Sequence, residues 1–123
     1  MKLAVAQGMV EAARAHARQK GMNPLVIVVL DARGVLKVGI AEDGTSLRRA
    51  DVATGKAHGA LAMGLGSRTL HTRAQNQPYF IAAVTHAVGG SLVPVPGGVL
   101  IRTKEGELLG AIGISGDSSD NDE

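Results

Sequence analysis

The residues of this chain with the clearest chemical potential are four histidines, one lysine among small residues and one glycine pair. The histidines are His16, His58, His71 and His86, and none lies four residues from another, as two ligands of a helical zinc motif would. Cysteine is absent from the chain. We therefore predict no local metal motif and no thiolate chemistry.

His16 lies near the end of a segment, residues 2–19, whose apolar and polar residues recur with helical spacing. It continues a row formed by Val5, Met9 and Ala12 at the edge of the predicted apolar stripe. Two interpretations stay open for this residue. It is either a half-exposed histidine favoured by the dipole at the helix C-terminus, or an axial ligand that faces a flat cofactor.

Lys56 and His58 project from a second predicted helix, residues 46–64, in which small residues are unusually frequent. Glycine inside a helix is unfavourable by about 1 kcal/mol relative to alanine, so Gly55 and Gly59 indicate close packing. Lys56 is either a solvated surface lysine or a cation at a subunit or ligand pocket, where it holds a carboxylate. His58 is the second candidate for an axial ligand.

The pair Gly97–Gly98 precedes an apolar run rather than a helix, which is not the arrangement of a nucleotide-phosphate loop. We interpret it as a tight bend or as a close approach of the backbone to a ligand. Residues 113–116 resemble a hydrolase nucleophile turn, but Asp117 stands where that pattern needs glycine and no histidine follows. We therefore predict that Ser115 is not a nucleophile, and we assign no catalytic residue.

One α+β domain, residues 1–123, must position these side chains. Hydrophobic alternation and turn residues predict two hairpins and a short edge strand, at residues 25–30, 35–41, 91–95, 99–103 and 107–115. The fold class is therefore predicted as a five-stranded, largely antiparallel sheet with packed helices.

The last predicted strand has one smooth face. Side chains alternate along a strand, so Ala111, Gly113 and Ser115 lie on one face while Ile112 and Ile114 lie on the other. A face of small residues lets a helix come close to the backbone. We expect any side chain at Gly113 to push into that helix.

Composition excludes several classes of protein. The net charge of +2 and the scattered basic residues predict no nucleic-acid surface. We find no membrane-spanning stretch and no signal peptide, which predicts a cytoplasmic protein without membrane contact. Only Tyr79 and Phe80 are aromatic, so the core is aliphatic. A small domain of this kind gains stability by burying surface in a homo-oligomer.

Three features near the C-terminus carry a family resemblance: Gly97-Gly98-Val99, the strand E-G-E-x-x-G-A-I-G-I-S-G at 105–116 and the acidic pair Asp122-Glu123. They resemble the GlcG/HbpS-like family, the haem-degrading-domain proteins. The resemblance continues through residues 28–34 and 53–57, and so covers essentially the whole chain. It implies a PAS- or profilin-like fold in symmetric oligomers. Family members usually continue into a last helix after the acidic pair. We expect that helix to be either absent here or outside residues 1–123.

The resemblance implies two alternative functions. The first is an oligomeric module that binds haem or a related tetrapyrrole and promotes its degradation, with His16 or His58 as axial ligand and Lys56 facing a propionate. The second is an enzyme or pathway accessory acting on a small organic acid of glycolate or diol metabolism. In that case Lys56, Arg68 and Gly97–Gly98 supply the cation and the backbone donors. We expect the ligand pocket to lie between the predicted helix at residues 46–64 and the bend at residues 96–99.

Overall fold

The computed structural model describes all 123 residues as five helices and one sheet. The helices are α1 (Leu3–Gln19), α2 (Arg49–Met63), α3 (Ser67–Asn76), α4 (Pro78–Ala87) and α5 (Ser119–Asp122). The strands are β1 (Val26–Asp31), β2 (Leu36–Ala41), β3 (Gly98–Arg102) and β4 (Leu108–Ser115). The sheet order is β2-β1-β4-β3, and each neighbouring pair is antiparallel.

The α+β class and the antiparallel sheet are confirmed, but the prediction of five strands is wrong. Residues 91–95, the expected edge strand, form an irregular segment outside the sheet. Prolines 94 and 96 lack the N–H group that a ladder requires. The N–H of Val93 donates instead to the carbonyl of Gly55 in α2, at 3.1 Å. The segment is therefore attached to a helix.

The sheet is covered on both faces at β1, whose six residues are all buried. Leu25, Ile27 and Val29 join the buried residues of α1 in one core cluster. The alternate residues Val26, Val28 and Leu30 join Ala53 and Ala57 of α2 in another. Since successive strand residues point to opposite sides, α1 and α2 lie on opposite faces of the sheet.

The smooth face of β4 is confirmed, and α2 packs on it. A Cβ atom at Gly113 would meet the carbonyl oxygen of Ala53 and would lie 3.1 Å from the Cβ of Ala57. Ile112 and Ile114 pack with the α1 cluster on the opposite side. The glycine thus sets the short distance between helix and sheet.

Helices α3 and α4 form a smaller cluster, in which Leu70 and Ile81 pack with Leu92 of the irregular segment. That segment lies directly on α2, since a Cβ at Gly59 would be 2.8 Å from the Leu92 Cγ. The small residues of α2 therefore serve close packing on two sides, against the sheet and against residues 91–95.

No helix in the structure combines the length and the apolar character needed to cross a membrane.

Candidate functional site

Lys56 is completely buried, with 1 % of its surface exposed. Its Nζ donates to the carbonyl oxygen of Ile114 at 2.8 Å and pairs with the Oδ2 of Asp122 at 3.2 Å. Asp122 is equally buried, and its Oδ1 accepts the N–H of Asp117 at 2.9 Å. Burial lowers the pKa of Lys56, and the charge of Asp122 opposes this shift. The two charges are therefore paired inside the chain.

Gly97 and Gly98 pack directly against Lys56, so the structure brings together three residues that the sequence assigned to one pocket. A Cβ at Gly97 would lie 2.8 Å from the Lys56 Nζ. A Cβ at Gly98 would meet the Lys56 carbonyl oxygen. Gly97 also has φ of +126°, a conformation that side chains disfavour. These glycines let α2 reach the start of β3, and the contacts fill the space between them.

Ser67 completes this packed region and is a residue that the sequence analysis missed. Its buried Oγ accepts the N–H of Gly98 at 2.7 Å and donates to the carbonyl of Gly98 at 3.3 Å. The only signal is a serine at the start of a helix, where serine is an ordinary cap residue. We call Lys56, Ser67, Gly97, Gly98 and Asp122 the Lys56 cluster.

Arg68 follows Ser67 and forms ion pairs with Glu123 at 2.8 Å and Asp120 at 2.9 Å. Hydrogen bonds to these carboxylates raise the pKa of its guanidinium above the usual value. The side chain is half exposed, but its charge is matched by two carboxylates of the C-terminal segment. Arg68 thus holds α5 against the start of α3.

His16 is exposed near the end of α1 and lines a groove of about 170 Å³. Its lining comprises an apolar wall and a C-terminal wall: Ala13, Ala17, Met22, Leu25 and Ile114 form the first, and Asn121, Asp122 and Glu123 form the second. No hydrogen bond engages the imidazole of His16. Asp122 belongs to this groove and to the Lys56 cluster, so the groove that contains His16 and the cluster that contains Lys56 share one carboxylate. We call this region the His16 groove.

His58 lies on α2, across the sheet from His16. Its Nδ1 is 2.7 Å from the carbonyl oxygen of Ser91, and because a carbonyl only accepts, Nδ1 carries the proton. His71 makes the same kind of bond to the carbonyl of Pro94, at 3.1 Å. The two candidate axial ligands, His16 and His58, therefore belong to different sites. No three His, Asp or Glu side chains converge closely enough to hold a metal ion.

The chain belongs to the HbpS-like family, since residues 1–123 match the model of the family described as haem degrading protein HbpS-like. The resemblance seen in the sequence is confirmed by this match. Among curated proteins, none matches the chain. The ligand roles predicted for His16, His58, Lys56 and Gly97–Gly98 stay predictions.

Solved structures share the fold over nearly the whole chain. The PduOC:heme complex is 27 % identical with a TM-score of 0.86, and the match covers 99 % of this chain and 86 % of that one. A double mutant of Streptomyces reticuli HbpS is 25 % identical with a TM-score of 0.82, covering 100 % and 80 %. Klebsiella pneumoniae protein ORFY has a TM-score of 0.87 at 22 % identity, covering 99 % and 82 %, which shows the fold alone.

Proposed function

We propose that this chain binds haem as a homo-oligomer, with His16 as the axial ligand. The observation that carries the proposal is an exposed imidazole beside an apolar wall, without a hydrogen bond to the protein. Imidazole nitrogen is a common axial ligand of haem iron. Family membership and the likeness to the PduOC:heme complex support haem as the cofactor.

The size of the His16 groove supports a role for a second subunit. About 170 Å³ is less than the roughly 300–1,000 Å³ of pockets that enclose a small ligand. A flat tetrapyrrole held by His16 would therefore extend over the surface of α1. Val5 and Ala12, in the same row of the helix as His16, are exposed there. A second copy packed on this row would cover both the apolar side chains and the open side of the haem.

The other predicted residues have supporting roles in this proposal. The pair between Lys56 and Asp122 fixes the C-terminal wall of the groove, and Gly97–Gly98 give the lysine room to reach it. His58 is the alternative ligand, because a histidine that donates Nδ1–H to a carbonyl presents Nε2 in a fixed orientation. The proposal also includes degradation of the bound haem by the same oligomer, because the family description names this activity.

Titration with haemin, followed by visible absorption, tests the ligand. The unmodified chain is expected to shift the haemin absorption band, and His16→Ala is expected to abolish that shift. His86→Ala is the matched control, since His86 is an exposed histidine on α4, away from the groove. Loss of the shift in His58→Ala instead of His16→Ala would transfer the ligand role to His58. If both variants shift the haemin band as the unmodified chain does, or if the unmodified chain does not shift it, the proposal is refuted.

Light scattering tests the assembly. We expect a mass that is a multiple of the 12.6 kDa of one chain at micromolar concentration, with or without haemin. A monomer under both conditions would contradict the oligomer. A visible spectrum recorded with a reductant and oxygen then checks for loss of the haem band, the expected sign of degradation.

A further inference from the structure

Lys56 and Arg68 are the two cations expected to bind a small organic acid in the second of the two alternative functions. Both are already neutralised by carboxylates of the chain. Lys56 pairs with Asp122, and Arg68 pairs with Asp120 and Glu123. Arg49, at the start of α2, forms no ion pair. Its Nη1 donates at 3.1 Å to the hydroxyl Oγ of Ser115, which carries no charge. A guanidinium has five N–H donors, so most of those of Arg49 remain available to an anion.

Arg49 is half buried and lines a cavity of about 330 Å³ between α2 and the turn after β2. The other lining residues are polar or small and include no carboxylate: Asn23, Pro24, Gly44, Thr45, Ser46 and Gly116. A neighbouring cavity contains Arg14 and Arg18, but there Glu42 pairs with both arginines. The cavity beside Arg49 therefore holds a positive charge that no ion pair compensates.

Three backbone donors around this cavity are also without protein acceptors. The N–H groups of Gly44, Ser46 and Gly116 form no hydrogen bond within the chain. Asp117, which follows Gly116, directs its carboxylate to the N–H of Asn23 and the side-chain amide of Asn121. An arginine fork together with free backbone N–H groups is an arrangement that recognises an oxyanion.

We propose that the cavity beside Arg49 binds the carboxylate of a small hydroxy acid. The planar guanidinium matches a carboxylate through two parallel hydrogen bonds. The hydroxyls of Thr45 and Ser46 and the amide of Asn23 offer partners for a ligand hydroxyl. This cavity shares no lining residue with the His16 groove, so the proposal does not depend on haem binding.

Isothermal titration with glycolate tests the proposal on the full chain, with inorganic phosphate as the comparison anion. We expect glycolate to bind the unmodified chain and to bind Arg49→Gln at least about tenfold more weakly, because charge-assisted hydrogen bonds are lost. Arg49→Lys keeps the charge without the fork and is expected to bind more weakly than the unmodified chain. Arg48→Gln is the matched control, since Arg48 is exposed and pairs with Asp51.

Three results would overturn this inference: no glycolate binding by the unmodified chain, equal binding by the chain and Arg49→Gln, or tighter binding of phosphate than of glycolate. Arg49→Lys keeps the test decisive if Arg49→Gln does not fold, because equal binding by the lysine variant would also contradict the fork. A haemin titration of Arg49→Gln is expected to match that of the unmodified chain. Failure of this site and failure of the haem proposal are therefore distinguishable.

Discussion

The Lys56 cluster and the His16 groove share Asp122 but differ in how their polar atoms are used. In the cluster, the ammonium, the carboxylate and the Ser67 hydroxyl all have partners inside the chain. In the groove, the imidazole of His16 is exposed and has no hydrogen bond to the protein. The comparison teaches that residue type alone does not identify a ligand site. A chemically capable side chain is free for a ligand only where the fold leaves its atoms unpaired.

The largest expected effect is the loss of stability in Lys56→Met. Removing the cation leaves the Asp122 carboxylate buried without its partner, which typically costs about 3–5 kcal/mol. Urea unfolding measures the change, and Lys20→Met, at an exposed lysine, is the control. The double variant Lys56→Met with Asp122→Leu is expected to recover part of the loss. A change in the free energy of unfolding below about 1 kcal/mol in Lys56→Met would contradict a structural role for the cluster.

Gly98→Ala tests how tightly the cluster is packed. The added methyl group would meet the Lys56 carbonyl, and overpacking of this kind typically costs about 1–3 kcal/mol. Gly113→Val is expected to act in the same direction against α2. Gly8→Ala is the control, because a Cβ at this position in α1 meets nothing within 4 Å. An unfolding temperature of Gly8→Ala below that of Gly98→Ala would contradict the packing argument.

Acidification is expected to loosen the C-terminal wall that the groove and the cluster share. The hydrogen bond from the N–H of Asn23 and that from the Asn121 side chain lower the pKa of Asp117 below its ordinary 3.8. The folded state therefore binds this proton less readily than the unfolded state. The stability from Asp117 is present above pH 3.8 and is lost as the pH falls through the lowered pKa.

Urea unfolding of the chain and of Asp117→Asn at neutral and acidic pH measures this effect. The variant is expected to be less stable at neutral pH and to lose less stability on acidification. Parallel pH profiles for the two proteins would exclude a contribution from Asp117.

The smallest expected effect on stability is that of His16→Ala, within about 0.5 kcal/mol, because the side chain is exposed and has no hydrogen bond. The same variant is expected to lose haemin binding. His16 and Lys56 would then show opposite behaviour, with one needed for the ligand and the other for the fold. Thermal unfolding that shows a loss above about 1 kcal/mol in His16→Ala would assign this histidine a structural role.

The local patterns of the sequence predicted most of the secondary structure. The helical period over residues 2–19 corresponds to α1, and the two hairpins correspond to the four strands, within a few residues at each end. The alternation in β4 also predicted the face on which α2 packs. These features depend on neighbouring residues along the chain, whose spacing the sequence displays directly. The segment 91–95 was misassigned because its hydrogen bonds go to α2, which no local pattern reveals.

Only the tertiary structure determines which basic residues are paired with a carboxylate and which are not. Lys56 is buried because Asp122, 66 positions away, supplies its counter-charge. Arg49 reaches Ser115, also 66 positions away, and finds no carboxylate there. Both are basic residues of one helix, and their local sequence does not distinguish them. Pairing in three dimensions separates them, because a buried charge is tolerated only where the fold brings a partner to it.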